Sequence, residues 1–281
     1  MKTLQWLDAA WILSHQVPES GVELLDADRI KGIVSRDDVT LEVLWSTGST
    51  NTYLMGMSAE RFSGYKVCLA EQQQAGRGRR GRRWISPFGS NLYMSLARRF
   101  TRESTNLGGL SLAVGIQVVK ALKAYGVAGV GLKWPNDVMM DQGKLAGILV
   151  EVGPPINHHT HTVIGIGLNT HLSREDRLKI DQPPGTLEGM DLSRNELAGQ
   201  VLNSVIFGLD RFAEKGFSDF YREWDSYNLY RGKEVTVHLG DQGINGVDAG
   251  VDTSGNLLLN TVDGVRVCNA GEVSLRAGAG R

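Results

Sequence analysis

The chain has 281 residues, near the limit of about 250–300 at which a single core stops growing, so one large domain with a small companion is expected. Its 41% hydrophobic and 22% charged residues exclude disordered and fibrous classes. Thirty basic against thirty-one acidic residues leave a net charge of −1, which argues against a dedicated nucleic-acid-binding domain and makes any polyanion site local. No apolar run approaches the roughly 18 residues that span a bilayer, and Met1 to Ser20 lacks the pattern of a signal peptide, so a cytoplasmic location without membrane contact is expected.

The first stretch, with Trp6, Trp11 and the segment Leu24 to Val34, reads as helical and turns polar at Ser35 to Asp38. Strand-like Leu41 to Trp45 leads into Ser46-Thr47-Gly48-Ser49-Thr50-Asn51, whose hydroxyls and amide suit a helix cap or the hydrogen-bonding of a neutral polar head. The strand Val67 to Ala70 is followed by Gln72, Gln73, Gln74 and Ala75 and then by Gly76-Arg77-Gly78-Arg79-Arg80-Gly81-Arg82. Four arginines among three glycines let backbone N–H groups and guanidinium forks converge on phosphate or carboxylate oxygens. A solvated basic loop or an RNA contact has the same composition, but such motifs sit in disordered tails, whereas Trp84-Ile85-Ser86-Pro87 and the strand Leu92 to Leu96 follow here directly. Like charges in a glycine-rich loop repel, so ordering on ligand binding is expected.

Leu110, Val114, Val118, Leu122 and Tyr125 recur at helical spacing, and the helix should end near Gly126. Lys133-Trp134-Pro135-Asn136-Asp137 combines a cation, an aromatic and a rigid turn that can project Asn136 and Asp137 together; a plain proline turn with an Asx hydrogen bond is the alternative. Lys144 heads the apolar run Leu145 to Val150, placed either to reach a site from a strand's start or to stay solvated. Gly165-Ile166-Gly167-Leu168-Asn169 admits close approach of a ligand, a weak indication by itself. Ser193 and Glu196 form a capping box for a helix with Leu197, Val201, Val205, Leu209 and Phe212 on one face, up to Gly216. An aromatic segment from Phe217 to Tyr230 closes this domain. Beyond Arg231, alternating Val235, Val237 and Leu239 and short strands between turns indicate a small antiparallel barrel. Cys68 and Cys268 read as buried free thiols, and His158, His159 and His161 as solvated loop histidines rather than a metal site.

The order of these motifs, Ser-Thr-Asn, the glutamine-to-arginine run, Lys-Trp-Pro-Asn-Asp, Lys-Leu-Ala-Gly-Ile-Leu-Val-Glu and Gly-Ile-Gly-Leu-Asn, resembles the biotin protein ligases from Leu24 to Arg276. The resemblance is closest to the bacterial biotin operon repressor type. It implies an α+β fold: a mixed sheet with helices, of the class II aminoacyl-tRNA synthetase-like kind, over residues 39–230, and an SH3-like barrel over 231–281. Residues 1–38 are then an N-terminal segment too short for a winged helix-turn-helix, so operator DNA binding is not expected. The implied activity is two-step: biotin and ATP, with Mg2+, give biotinyl-5′-adenylate, and biotin passes to a lysine of a biotin carboxyl carrier protein of acetyl-CoA carboxylase. Carried over by position, Ser49, Thr50, Asn51, Gln73, Arg77, Gly78, Arg79 and Lys144 would contact biotin or its adenylate. Trp84, Asn136, Asn169 and, more weakly, Arg276 would serve the nucleotide; Lys144, Asp137 and Arg79 would be catalytic, with no metal ligand assigned to the protein. Thr170 to Pro184 would be a second loop ordered by ligand. Family members often pair through the catalytic sheet, and lipoate ligases are the nearest related enzymes.

Overall fold

The structure is a computed structural model that describes residues 23–57, 63–101, 107–141, 143–156, 159–239, 242–269 and 273–277, the side chains of 156, 239 and 273–277 excepted. Its larger sheet has the order β1-β2-β3-β7-β6-β5-β4, formed by β1 (Val39–Thr47), β2 (Tyr65–Gln73), β3 (Leu92–Phe100), β4 (Val130–Lys133), β5 (Asp137–Met140), β6 (Gly143–Ile156) and β7 (His159–Leu168). β1 runs parallel to β2, and every other ladder is antiparallel. The expected mixed sheet backed by helices is therefore present.

The helix expected from Leu110 onward is α3 (Leu110–Ala124), following α1 (Ala27–Ile33) and α2 (Thr50–Met55) and preceding the short α4 (Arg174–Leu178). Apolar residues occupy nearly all of its circumference, which fits a helix sandwiched between the sheet and α5 (Arg194–Lys215) rather than one exposed on a face. Ser193 Oγ accepts from Glu196 N at 3.2 Å, as the capping pattern anticipates. The reciprocal half of the box is absent, because the Glu196 carboxylate takes the Tyr125 hydroxyl at 2.7 Å and Ser193 Oγ donates to Glu23.

Residues 23–38 pack on this larger unit. Asp26 caps α1 by accepting from Asp28 N and Arg29 N, and α1 lies on α5. The segment is held by a buried ion pair, Arg194 Nη2 to Glu71 Oε2 at 3.0 Å, whose glutamate also receives Leu25 N and whose arginine reaches the carbonyls of Asn91 and Glu23. Removing one member would strand a buried charge, a loss of about 3–5 kcal/mol.

The C-terminal strands β8 (Glu234–Leu239), β9 (Gln242–Val251), β10 (Leu257–Thr261), β11 (Gly264–Cys268) and β12 (Val273–Ala277) form one antiparallel sheet in the order β11-β10-β9-β8-β12. No ladder joins β11 to β12 among the described residues, so the small barrel expected there is seen as a sheet with two edges. Its turns reach the larger unit: Trp134 Nε1 donates to the Gly255 carbonyl at 3.1 Å and Asn228 Nδ2 to Asp248 Oδ1 at 3.1 Å. Both cysteines are buried and free. No helix among the described residues is long and apolar enough to cross a membrane.

Candidate active site

A cavity of about 430 Å³ opens where β2, β3, β6 and β7 end beside the arginine-glycine stretch. Ligand pockets usually span about 300–1,000 Å³. Nearly every residue singled out in the sequence lines it, although they come from six separate stretches of chain.

One end is neutral and polar. β1 delivers the chain to α2, whose cap is Ser49, with Oγ 3.5 Å from Thr52 N. Of the two readings of Ser-Thr-Asn, the cap is present at Ser49, and Thr50 and Asn51 are buried and line the cavity. Gln73 Oε1 accepts from Thr50 N at 2.9 Å and Thr50 Oγ1 at 3.1 Å, and Gln73 Nε2 reaches Ser86 Oγ at 3.1 Å. Ser95, fully buried in β3, stands 2.7 Å from Thr50 Oγ1 and 2.6 Å from Asn51 Oδ1. Ser95 was not anticipated; its trace is a hydroxyl that interrupts the apolar run Leu92 to Leu96.

The floor is a pair of glycines. Gly147 and Gly167 face each other across the β6–β7 ladder, and the Trp84 indole lies over both: a Cβ on Gly167 would come within 2.5 Å of Trp84 Cε2, and one on Gly147 within 3.1 Å of Cζ3. Gly165 serves Asn51 in the same way, since a Cβ there would meet Asn51 Oδ1 at 2.2 Å. The Gly-x-Gly motif thus admits the protein's own side chains. Trp84 Nε1 is buried with no hydrogen-bond partner, a donor left over for a ligand.

The other end is cationic. The arginine-glycine run is a hairpin closed by an Arg77–Arg83 bridge, Gly78 N to Arg82 O at 2.7 Å and Trp84 N to Gly76 O at 2.9 Å. Its tip is a tight turn with Arg80 at φ 56°. Arg79 points inward and donates to Asn136 Oδ1 at 3.3 Å; burial, with the charges of Arg80 and Arg82, holds its guanidinium below the ordinary arginine range against the pull of Asp137. Lys144 Nζ lies 2.7 Å from Asp137 Oδ1 and 5.4 Å from the Trp84 ring centroid.

The Lys133 to Asp137 motif divides. Trp134 is fully buried against the C-terminal sheet, whereas Asn136 and Asp137 face the cavity, Asn136 Nδ2 being held by Ile148 O at 2.9 Å. Asn169 is buried, with Nδ2 donating to the carbonyls of Lys144 at 3.1 Å and Gly185 at 3.3 Å. It therefore ties the stretch before Gly185 to Lys144, which pairs with Pro184, and Lys179 to Gln182 from that stretch border the cavity. Arg276 stands in β12 opposite Thr236, and its side chain lies outside the described residues. Of the histidines, His161 is buried and contacts Leu54 O at 3.2 Å, while His158 lies outside the described residues. The solvated reading of His161 is corrected: β7 turns its ring inward, beneath α2.

A ligand matching this cavity has a neutral hydrogen-bonding head, an apolar middle to lie along Met94, Ile166 and Trp84, and an anionic end. Residues 43–169 match the Biotin/lipoate A/B protein ligase family and residues 231–276 the Biotin protein ligase C terminal domain. The bifunctional ligase/repressor BirA of Salmonella typhimurium is 39% identical over 265 residues, 94% of this chain and 82% of its own length. The biotin–[acetyl-CoA-carboxylase] ligase of Mycobacterium tuberculosis is 33% identical, over 83% of this chain and 88% of its own. Among solved structures, the biotin protein ligase of Aquifex aeolicus in complex with biotin and ATP is similar with a TM-score of 0.74 and 32% identity, covering 85% of this chain and 99% of that one.

Proposed function

The chain belongs to the biotin protein ligase family, and on that premise we propose how its cavity performs the family's reaction. It is an ATP-dependent ligase that activates biotin as biotinyl-5′-adenylate and transfers biotin to a carboxylase carrier. The observation that carries the assignment of roles is the polarity of the cavity, neutral at Thr50, Asn51 and Gln73 and cationic at Arg79 and Lys144. Biotin has a neutral ureido head, an apolar chain and a carboxylate, in that order.

In this reading Ser49, Thr50, Asn51 and Gln73 hold the head, and Arg77, Gly78 and Arg79 cover the chain. The carboxylate oxygen attacks the α-phosphorus of ATP, and the bond to the bridging oxygen breaks to release pyrophosphate. Negative charge gathers on the phosphoryl oxygens, where Arg79 and Lys144 stabilise it. Arriving anions draw Lys144 away from Asp137, the partner seen here at 2.7 Å. Asp137 then orients the carrier lysine's amine and accepts its proton as nitrogen attacks the acyl carbon and AMP leaves. Trp84, Asn136, Asn169 and Arg276 are assigned to the nucleotide, with Asn169 acting through the backbone of Lys144. Magnesium bound with ATP would neutralise charge on the phosphates, and no residue of the chain is assigned to hold it.

Pyrophosphate release from ATP, compared between biotin and lipoate, tests the assignment, with streptavidin detection of a carrier domain for the second step. Release that depends on biotin and labels the carrier is expected. Release with lipoate equal to that with biotin would overturn it.

A further inference from the structure

One hydrogen-bonded path runs beneath the cavity and begins and ends on the two strands of the arginine-glycine hairpin. From the Trp84 carbonyl it passes through Ser86 Oγ at 3.0 Å to Gln73, whose oxygen takes the Thr50 backbone N–H, and then from the Thr50 hydroxyl through Ser95 Oγ to Asn51 Oδ1. Asn51 Nδ2 donates to Glu151 Oε2 at 2.8 Å, and Glu151 Oε1 receives Arg77 Nη2 at 3.0 Å. Arg77 also reaches Thr52 Oγ1 at 3.0 Å. Glu151 extends from β6 beyond the glycine floor, at the end of the Lys-Leu-Ala-Gly-Ile-Leu-Val-Glu motif, whose pattern assigns it no role.

An isolated ion pair as open as Arg77 with Glu151, whose side chains are 45% and 26% exposed, ordinarily contributes little. Here one partner is fixed beforehand. Asn51 is buried and clamped at its oxygen by Ser95, so the carboxylate is presented to Arg77 without a large loss of side-chain freedom. The residues expected to hold the ligand's head are thereby joined to the residue that sets where the hairpin closes.

We propose that Glu151 is a positioning residue that latches the arginine-glycine hairpin over the cavity by binding Asn51 and Arg77 together, and so retains the activated adenylate until the carrier arrives. The identity of the retained ligand rests on the biotin reading; the latch itself does not. It predicts that the hairpin's near strand loosens when the carboxylate is lost, although Glu151 touches no reacting atom.

The test uses the full chain and its Glu151→Gln, Arg77→Gln and doubly substituted forms. Trypsin cleavage at Arg79, Arg80 and Arg82 is followed without ligand, and escape of preformed biotinyl-adenylate is followed on a desalting column. Each single variant is expected to be cut at the hairpin about tenfold faster, the scale of one charge-assisted hydrogen bond, with cleavage elsewhere unchanged. The double variant should fall well short of the product of the two single effects, because both substitutions break the Glu151–Arg77 contact. Adenylate should escape faster by a similar factor, while its first-turnover formation falls less. Wild-type cleavage rates, or additive effects in the double variant, would overturn the latch whatever the ligand; faster cleavage with unchanged escape would overturn the retention role. Absence of biotin-dependent pyrophosphate release in the wild type would instead defeat the functional reading, and the cleavage rates would still decide the latch.

Discussion

At the head end of the cavity, Thr50, Asn51 and Ser95 are buried and bonded to one another, whereas at the cationic end Arg79, Lys144 and Trp84 stand partly open, on a hairpin and a strand's start. The difference teaches how the two tasks are divided. Buried polar groups discriminate strongly, because a ligand that fails to replace their bonds leaves them unpaired. Charges held by a loop and by one exchangeable ion pair discriminate less, but they can shift toward developing charge. The head end is therefore read as the part that chooses the ligand and the cationic end as the part that performs the chemistry.

Substitutions can separate these ends. Lys144→Gln should have the largest effect, slowing adenylate formation by about 10²–10³-fold, the usual loss of one electrostatic contact to the transition state, with biotin affinity much less affected. Rapid-quench pyrophosphate release measures it, and a drop in affinity as large as the drop in rate would erase the division. Asp137→Ala should come next, lowering transfer to the carrier by about 10²-fold and adenylate formation by much less. Equal losses in both half-reactions would remove Asp137 from the amine. Gly165→Ala should act in the opposite sense, weakening biotin binding by about tenfold as its methyl displaces Asn51, on the scale of an overpacked core site. Calorimetric titration would decide, and unchanged affinity would show that Asn51 does not face the ligand.

The smallest effect is expected outside both ends. Asp248 is buried between the two units, accepting from Gly250 N at 2.7 Å and Asn228 Nδ2 at 3.1 Å, with Oδ2 lacking a hydrogen-bond partner. Burial, with the nearby Asp225 carboxylate, raises its pKa despite those hydrogen bonds. A carboxyl that binds its proton more tightly when folded favours the fold in acid, and its ionisation subtracts stability as pH rises through the ordinary aspartate range and above. Asp248→Asn cannot ionise, so its thermal midpoint should gain on the wild type as pH increases through that window. Parallel pH profiles for the two proteins would show that Asp248 is not the group responsible.

Much of this was legible along the chain. The helix 194–215 follows from Leu197, Val201, Val205, Leu209 and Phe212 on one face, a local property set by backbone periodicity. Asp137 and Lys144 were legible as polar residues flanking apolar strands, and Trp84 by its place after the arginines. Ser95 was not, and Glu151 stood at the end of a motif without its role being legible, because a single hydroxyl or carboxylate in a strand has no local pattern that separates a site from a solvated face. Gly165 and Gly167 stood out, but their use did not: the side chains that fill their space come from residues 51 and 84, distant in sequence.

The order of motifs by itself determined the family, since each motif, ambiguous alone, is a short local arrangement whose place along the chain can be read without any tertiary contact. Only the tertiary structure decided which of these residues meet. The β6–β7 register sets Gly147 opposite Gly167 beneath the indole, and the packing of α2 on the sheet brings Asn51 between Ser95 and Glu151. Such contacts are fixed by strand register and layer packing across about a hundred residues of chain, and local sequence carries no record of them.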